Sequence, residues 1–293
     1  MRISFWIKDF IYRTMIAISP KLLLEIQFKR LVGYKPDFDN PKTYNEKLGW
    51  YKLFYHDPLM NRCADKWEVR AYLEEIGLGE YMNDALGVWD RVEDIDFSKL
   101  PEKFVLKSTH GTAQTIVCKD KAKLDLKKAV EEMKFWLKTN QCRAGYEWAY
   151  RDIKPRIIGE KLIETVDGLP PKDYKVFCFN GEPKLLFVAS ERFNNHDVKF
   201  DFFDTEWNLL PFTQGHPNTA KPMAKPKELE LMLEVAAKAS QPFPHVRVDF
   251  YLEKGKIMIG ELTFYHFDGF VRFNPGKYDE IIGSYFKLPE KKL

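Results

Sequence analysis

The chain has 293 residues, 45% hydrophobic and 30% charged, with 15% aromatics and a formal net charge of +3. These values exclude a disordered chain, and so small a positive excess gives no ground for nucleic-acid binding. Four cysteines, Cys63, Cys118, Cys142 and Cys178, show no C-x-x-C spacing; they imply neither a thiolate metal site nor a disulfide framework and read as free thiols in a reducing compartment, the cytoplasm.

The first 35 residues hold seven Lys/Arg against Asp9 and Glu25, a local net charge of +5. Lys8, Asp9 and Arg13 interrupt any signal-peptide core, and no run of about 18 apolar residues is present to span a bilayer. Phe5, Trp6, Phe10, Ile11 and Ile18 fall on one helical face. Two readings stand: a basic amphipathic helix lying peripherally on the inner face of an anionic membrane, or a helix packed on its own domain. Residues 40–85 carry helical apolar spacing, and 78–103 alternate short strands and turns. FVLKSTHGTAQTIVCKD (104–120) reads strand, Gly-containing turn, strand, and LDLKKAVEEMKFWLKTN (124–140) an amphipathic helix. RIIGEKLIE is a strand running into the turn TVDGLPPKD. A hairpin follows, with Asn180-Gly181 at its tip, then a short strand pair in DFFDTEWNLLPF, a helix in PKELELMLEVAAKAS, and a last hairpin, VRVDFYLEKGKIMIGELTF (246–264). Helices mixed with hairpins in this way predict an α+β fold rather than a doubly wound parallel sheet.

The last hairpin carries Arg247, Asp249 and Glu261 in its interior. A three-residue loop, Lys254-Gly255-Lys256, sets Asp249 opposite Glu261 and puts Tyr251, Ile257, Ile259 and Thr263 on the face with these charges. A solvated outer face is the ordinary explanation of such polar residues. Ile257 and Ile259 make a poor solvent face, and two adjacent carboxylates suit Mg²⁺, which takes one or two carboxylates plus substrate phosphates. Upstream, Lys107 ends an apolar strand where the chain turns through STHGTAQ, and Ser108, Gly111 and Thr112 offer hydroxyl and N–H groups to phosphate. This is not the P-loop spacing, and a solvated hairpin tip is the alternative. Glu160, Glu164 and Asp167 flank a linker able to face a nucleoside, or are plain surface charges. Lys175 sits one residue inside a strand in DYKVFCFNG.

The order strand-Lys, Gly-containing hairpin, helix, IIGEKLI, DYKVFCFNG, VRVDFY, GELTF resembles the ATP-grasp fold. Within it, the closest resemblance is to the TupA-like branch, named after a teichuronopeptide-synthesis protein of bacterial surface-polysaccharide clusters. The resemblance runs from TYNEKLGWYKLFYHDPL to FNPGKYDEIIGSYFKLP. Beyond the basic amphipathic helical segment at 1–38, it implies a helical or α+β subdomain at 39–100, a small lobe at 101–160 and a large lobe with the metal site at 161–293. It further implies ATP contacts from Lys107, Ser108, Gly111, Thr112, Glu160, Lys161, Ile163, Asp167 and Lys175, with Mg²⁺ on Asp249 and Glu261 and Arg247 beside the transferred phosphoryl. Where many relatives have Asn two residues after the metal-binding Glu, this chain has Thr263, which can offer a neutral oxygen. After GELTF comes YHFDGF, which puts His266 and Asp268 toward the acceptor side; His266 is a candidate acid or base, or a structural residue.

The activity implied is carboxylate–amine ligation through an acyl phosphate, on a uronic-acid carboxylate of a saccharide and an amine. A kinase-like phosphotransferase and a glycosyltransferase are the rivals, and a scaffold without activity a third class. The D-x-D triplets at 37–39 and 94–96 sit among turn residues without a preceding apolar strand, which argues against a nucleotide-sugar site.

Overall fold

The computed structural model describes residues 2–139, 144–165, 168–190 and 198–293. Its N-terminal third is helical: α1 (Arg2–Ile18), α2 (Pro20–Leu31), α3 (Tyr44–Phe54), α4 (Pro58–Ala64) and α5 (Glu68–Glu75). The starts of these helices are written in the sequence. Ser19 caps α2 ahead of Pro20, Asp57 caps α4 ahead of Pro58, and Thr43 with Glu46 forms a reciprocal capping box on α3. Tyr44, Leu48, Tyr51 and even Lys52 of α3 are buried, so this helix is a central strut and not a surface element.

The strands follow: β1 (Ala85–Trp89), β2 (Phe104–Ser108), β3 (Thr115–Cys118), then α6 (Leu126–Trp136), β4 (Ile157–Lys161), β5 (Lys172–Phe179), β6 (Glu182–Ser190), β7 (Lys199–Asp204) and β8 (Thr213–Gln214). After α7 (Leu229–Ser240) come β9 (His245–Glu253), β10 (Lys256–Thr263), β11 (Phe273–Asn274) and α8 (Lys277–Tyr285). Among the described residues they form a four-stranded sheet in the order β1-β4-β2-β3, a five-stranded sheet in the order β10-β9-β5-β6-β7, and the pair β11-β8. Every pairing is antiparallel, as hairpin-rich α+β folds require. The smaller sheet takes β1 from the 39–100 segment, in the stretch expected to alternate strands and turns, and β4 runs across the expected lobe boundary at residue 160. Residues 201–212 give one strand, not a strand pair: β7 is followed only by a single bridge from Phe203 to Leu209.

Each sheet buries one face under a helix. Phe104, Leu106, Cys118 and Ile157 pack with Met133 and Trp136 of α6. Val176, Cys178, Val246, Val248 and Leu262 pack with Met232, Val235, Ala236 and Ala239 of α7 in a larger core. At about 1.5–3 kcal/mol per fully buried large apolar side chain, these cores outweigh any surface ion pair. Cys63, Cys118 and Cys178 are free and buried within them.

The final hairpin corrects the expected register. Its turn has two residues, Lys254 (φ 51°) and Gly255 (φ 74°), both in the left-handed region that a tight hairpin turn demands. A bulge at Gly260 then adds one residue on β10, so Asp249 still pairs with Glu261. The faces change, however. Ile257 pairs with Leu252 and Ile259 with Phe250, which moves both isoleucines into the core, while Met258 joins Tyr251 on the charged face.

Candidate functional site

Paired residues on neighbouring strands share a face, so the register assembles the site directly. Asp173, Lys175 and Phe177 of β5 lie opposite Tyr251, Asp249 and Arg247 of β9, and Glu261 and Thr263 of β10 lie opposite Asp249 and Arg247. This face of the larger sheet looks across to Lys107 and Glu160 on neighbouring strands of the smaller one.

Arg247 is the hub. Its Nε and Nη2 donate to Asp249 Oδ1 and Oδ2, both at 2.6 Å, a bidentate pair that is almost wholly buried. Its Nη1 donates to His266 Nδ1 at 2.6 Å, and Nη2 also reaches Thr263 Oγ1 at 3.2 Å. Because His266 Nδ1 accepts, the ring proton sits on Nε2, which donates to Gln214 Oε1 at 3.1 Å. The Gln214 amide is oriented in turn by donating to the Val271 carbonyl. Burial, followed by the charge of Arg247, holds His266 neutral, far below the usual histidine range. His266 is thus a fixed acceptor behind Arg247, and the YHFDGF stretch exists to place it. Phe267, Asp268 and Gly269 all have positive φ, and buried Lys52 donates to the carbonyls of Gly145 and Asp268 at 2.7 and 2.8 Å, holding that strained turn.

Lys175 Nζ lies 2.5 Å from Asp249 Oδ2 and 3.0 Å from Asp173 Oδ1. Burial opposes its charge, but these two carboxylates more than offset that and raise its pKa. Burial likewise pushes the Asp249 carboxyl upward, countered by Arg247 and Lys175. Glu261 differs: its side chain is 38% exposed, and its nearest cations are Lys66 at 3.6 Å and Arg247 at 4.0 Å. Desolvation acts against its ionisation, yet Lys66, Lys175, Arg247 and Lys107 together hold it down at about 2. Lys107 pairs with Glu160 at 2.7 Å; burial lowers its pKa and Glu160 with Tyr251 raises it further, so it stays charged.

Beside this charged face opens a cleft of ≈ 540 Å³ between the sheets, a volume typical of cofactor sites. Lys107 and Glu160 line it, with Val105, Thr115 and Val117 on one wall, Leu162, Ile163 and Pro170 of the inter-sheet linker on another, and Tyr251 from the larger sheet. Gly260 makes that last contact possible, since a Cβ there would meet Tyr251 Cε2 at 2.9 Å. Lys161 also lines the cleft, but its head group pairs with Asp84, its N–H donates to the Asp84 carbonyl and its own carbonyl accepts from Asn83.

The expected phosphate loop is more self-contained than its residue types suggest. Ser108 is buried, with its hydroxyl donating to Gln114 Oε1 and accepting from the Gly111 N–H. A Cβ at Gly111 would collide with Gln114 Oε1 at 2.1 Å, so the close turn needs glycine. Thr112 is exposed at the tip, and Ala113 (φ 56°) lines the cleft. Asp167 lies outside the described residues.

Of three further residues of the site, Asp173, Gln214 and Lys66, only the first carries a signal in the sequence. Asp173 stands two positions before Lys175, the strand period that puts both on one face. Gln214 and Lys66 have no such local mark. Lys66, between α4 and α5, donates Nζ to the Gly111 carbonyl at 2.8 Å while facing Glu261, and its N–H donates to the Thr109 carbonyl. It ties the helical region to both the loop and the open carboxylate.

The donor set suits Mg²⁺. Glu261 is an open hard-oxygen ligand, Asp249 is a second on the same face whose oxygens are now engaged by Arg247 and Lys175, and Thr263 is a neutral oxygen beside them. Among the described residues no cluster of three metal-ligating side chains gathers.

The family model described as TupA-like ATP-grasp matches residues 46–287. No curated protein matches the chain. Solved structures with similar folds include D-alanine–D-alanine ligase from Bacillus anthracis complexed with ATP, at 14% identity and TM-score 0.42, covering 69% of this chain and 55% of the ligase. An L-amino acid ligase from Bacillus licheniformis is similar at 14% identity and TM-score 0.45, with coverages of 78% and 51%. The ATP-grasp ligase PsnB, complexed with minimal precursor, Mg and ADP, is similar at 14% identity and TM-score 0.42, with coverages of 83% and 66%. The chain thus spans roughly half to two thirds of the length of these ligases.

Proposed function

The chain belongs to the TupA-like ATP-grasp family, and from that premise we propose that it uses ATP to activate a carboxylate and joins it to an amine. The substrate carboxylate attacks the γ-phosphorus, the bond from that phosphorus to the bridging oxygen breaks, and ADP leaves. The amine then adds to the acyl carbon, orthophosphate departs with the acyl oxygen bond, and the nitrogen loses a proton to give the amide. A uronic acid of a surface polysaccharide or its precursor is the substrate class we favour.

The observation that carries this reading is the convergence of Arg247, Lys175, Asp249 and Glu261 on one sheet face beside the Lys107–Glu160 cleft. Lys107 and Lys175 supply charge to phosphate, and Leu162 and Ile163 offer an apolar flank and backbone groups to a base. Arg247 is held in position by Asp249 and His266, so its remaining surface can meet a transferred phosphoryl without reorganising. Held by Glu261 and Asp249, Mg²⁺ would neutralise phosphate charge at this edge. His266 acts here as a positioning residue, with Thr263 as the polar neighbour of Arg247 and Glu261.

The test is ADP release from Mg-ATP against a panel of uronic acids and amines, with hydroxylamine as a trap. The reading expects hydroxamate from carboxylate plus hydroxylamine, and orthophosphate matching ADP when a true amine is present. ADP formation driven by a hydroxyl acceptor alone, with phosphate retained on that acceptor, would replace it with a phosphotransferase. Stabilisation by nucleoside-diphosphate sugars in preference to ATP would replace it with a glycosyltransferase.

A further inference from the structure

The two N-terminal helices divide their labour. α2 buries Leu24 and Phe28 in a cluster with Val32, Phe38, Leu53 and Phe270, and buries Leu23 as well, which fastens it to the domain. α1 touches the body more lightly, through Phe5 against Phe135 and through buried Asp9, paired with Arg13. On its other side Ile7, Phe10, Ile11 and Ile18 follow the spacing i, i+3, i+4, i+11 and face solvent; Phe10 is 71% and Ile18 74% exposed. Leu22, Ile26 and Leu31 of α2 are also exposed, as is Trp6. Of the seventeen exposed large hydrophobic residues among those described, eight fall between residues 6 and 31. Such a concentration marks a surface that is covered in use.

Charge identifies the cover. Residues 1–35 carry a net +5 while the whole chain carries +3, which leaves the remainder at −2. The two acids of the segment are themselves answered, Asp9 by Arg13 and Glu25 by Lys35 at 4.0 Å. Two copies meeting through this patch would bring +5 against +5, whereas an anionic surface satisfies both the charge and the apolar stripe. Trp6 at the edge of the stripe is a side chain suited to the headgroup zone. No helix among the described residues is long and apolar enough to cross a membrane. We propose that α1, with the exposed edge of α2, lies flat on an anionic lipid bilayer and docks the catalytic body there.

Flotation with extruded vesicles of phosphatidylcholine, with and without about 30% phosphatidylglycerol, tests this on the full chain. We expect co-flotation with the anionic vesicles, little with the neutral ones, and loss on raising NaCl from 0.1 to 0.5 M. Phe10→Glu with Ile18→Glu should reduce the bound fraction at least about 10-fold. Lys29→Glu with Arg30→Glu, which leaves the stripe intact, should do the same. All four positions are exposed, and an unchanged melting temperature serves as the folding control. Failure to float on anionic vesicles, equal binding to neutral ones, or binding indifferent to both double variants overturns the proposal. So does a dimer in sedimentation velocity that Phe10→Glu/Ile18→Glu dissolves in the absence of vesicle binding, which would make a second copy the cover.

Discussion

Glu261→Gln separates the metal role of this site from its structural role more cleanly than any change at Asp249. Glu261 is 38% exposed and its ion-pair partners stand off at 3.6 and 4.0 Å. Coulomb attraction to Lys66 at that distance is about 1 kcal/mol in water and ~5 kcal/mol at an effective dielectric of 20. Discounted for exposure, the loss of resting stability should be about 1 kcal/mol, or ~2–4 °C in melting temperature. Binding is where the change should register. Ligand at a hundred times its dissociation constant stabilises by about 2.7 kcal/mol, roughly 5–10 °C here. In the variant, the increment that Mg²⁺ adds to ATP should vanish, leaving the shift seen with ATP in EDTA. Turnover should fall about 10²–10³-fold, the usual loss of one preorganised electrostatic contact. Asp249→Asn contrasts with this: it leaves Arg247 and Lys175 buried without their shared carboxylate, so resting stability should drop by about 3–5 kcal/mol. Scanning fluorimetry of both variants, with ATP alone and with Mg-ATP, distinguishes the cases. A Glu261→Gln protein that keeps the full Mg²⁺-dependent shift would refute the assignment of this face as the metal wall.

Other consequences can be checked beside it. Lys107→Met should weaken ATP binding about 10–100-fold by calorimetry, the worth of one charge-assisted hydrogen bond, while ATP-free stability changes less because Glu160 can be solvated through the open cleft. His266→Leu strands Arg247 Nη1 and should cost about 1–3 kcal/mol in urea unfolding, with His266→Asn recovering part of it. As His266 stays neutral, the wild-type rate profile should show no histidine ionisation between pH 6 and 8, and one that disappeared in His266→Asn would make this residue an acid–base catalyst after all. His245, wholly buried between Tyr44 Oη and the Cys178 carbonyl, is held down to about 3 by burial. Its unfolded form takes up a proton first as pH falls below about 6.5, so stability should decline between pH 6.5 and 3, by as much as about 5 kcal/mol; the decline should be shallower in His245→Gln.

The hairpin shows how far the sequence could be read. A three-residue loop without a bulge and a two-residue loop with one both bring Asp249 opposite Glu261, because one residue lost at the turn is regained at Gly260. Charged residues therefore fell into place while Ile257 and Ile259 were assigned to the wrong face. Their misfit on that face was the signal of the bulge, as a lone glycine inside a strand can be. Arg247 and Asp249 were legible as a pair because the strand period puts residues two apart on one face; Lys175 joins them through the β5–β9 pairing, which periodicity does not show. Lys66 and Gln214 were not, since they arrive from other elements through tertiary packing. Ser108 illustrates the opposite error: a hydroxyl beside a glycine turn suggests a phosphate ligand, but the turn uses that hydroxyl to close on Gln114.

Taken together, the sheet face and the adjoining cleft carry four cations, Lys66, Lys107, Lys175 and Arg247, paired with four carboxylates, Glu160, Asp173, Asp249 and Glu261. Without nucleotide these charges neutralise one another, which lets so many ionised groups remain buried without the desolvation penalty of an isolated ion. A polyphosphate entering such a site finds no unpaired cation. On the proposed reading, Lys107 and Lys175 would exchange a carboxylate for phosphate oxygen, and Asp249, the carboxylate that Lys175 would release, shares the sheet face of Glu261. Divalent metal and anionic nucleotide would, on that reading, be mutually dependent guests, each restoring the balance that the other disturbs. Arg247, fixed on three sides by Asp249, His266 and Thr263, is the cation expected to keep its place in that exchange.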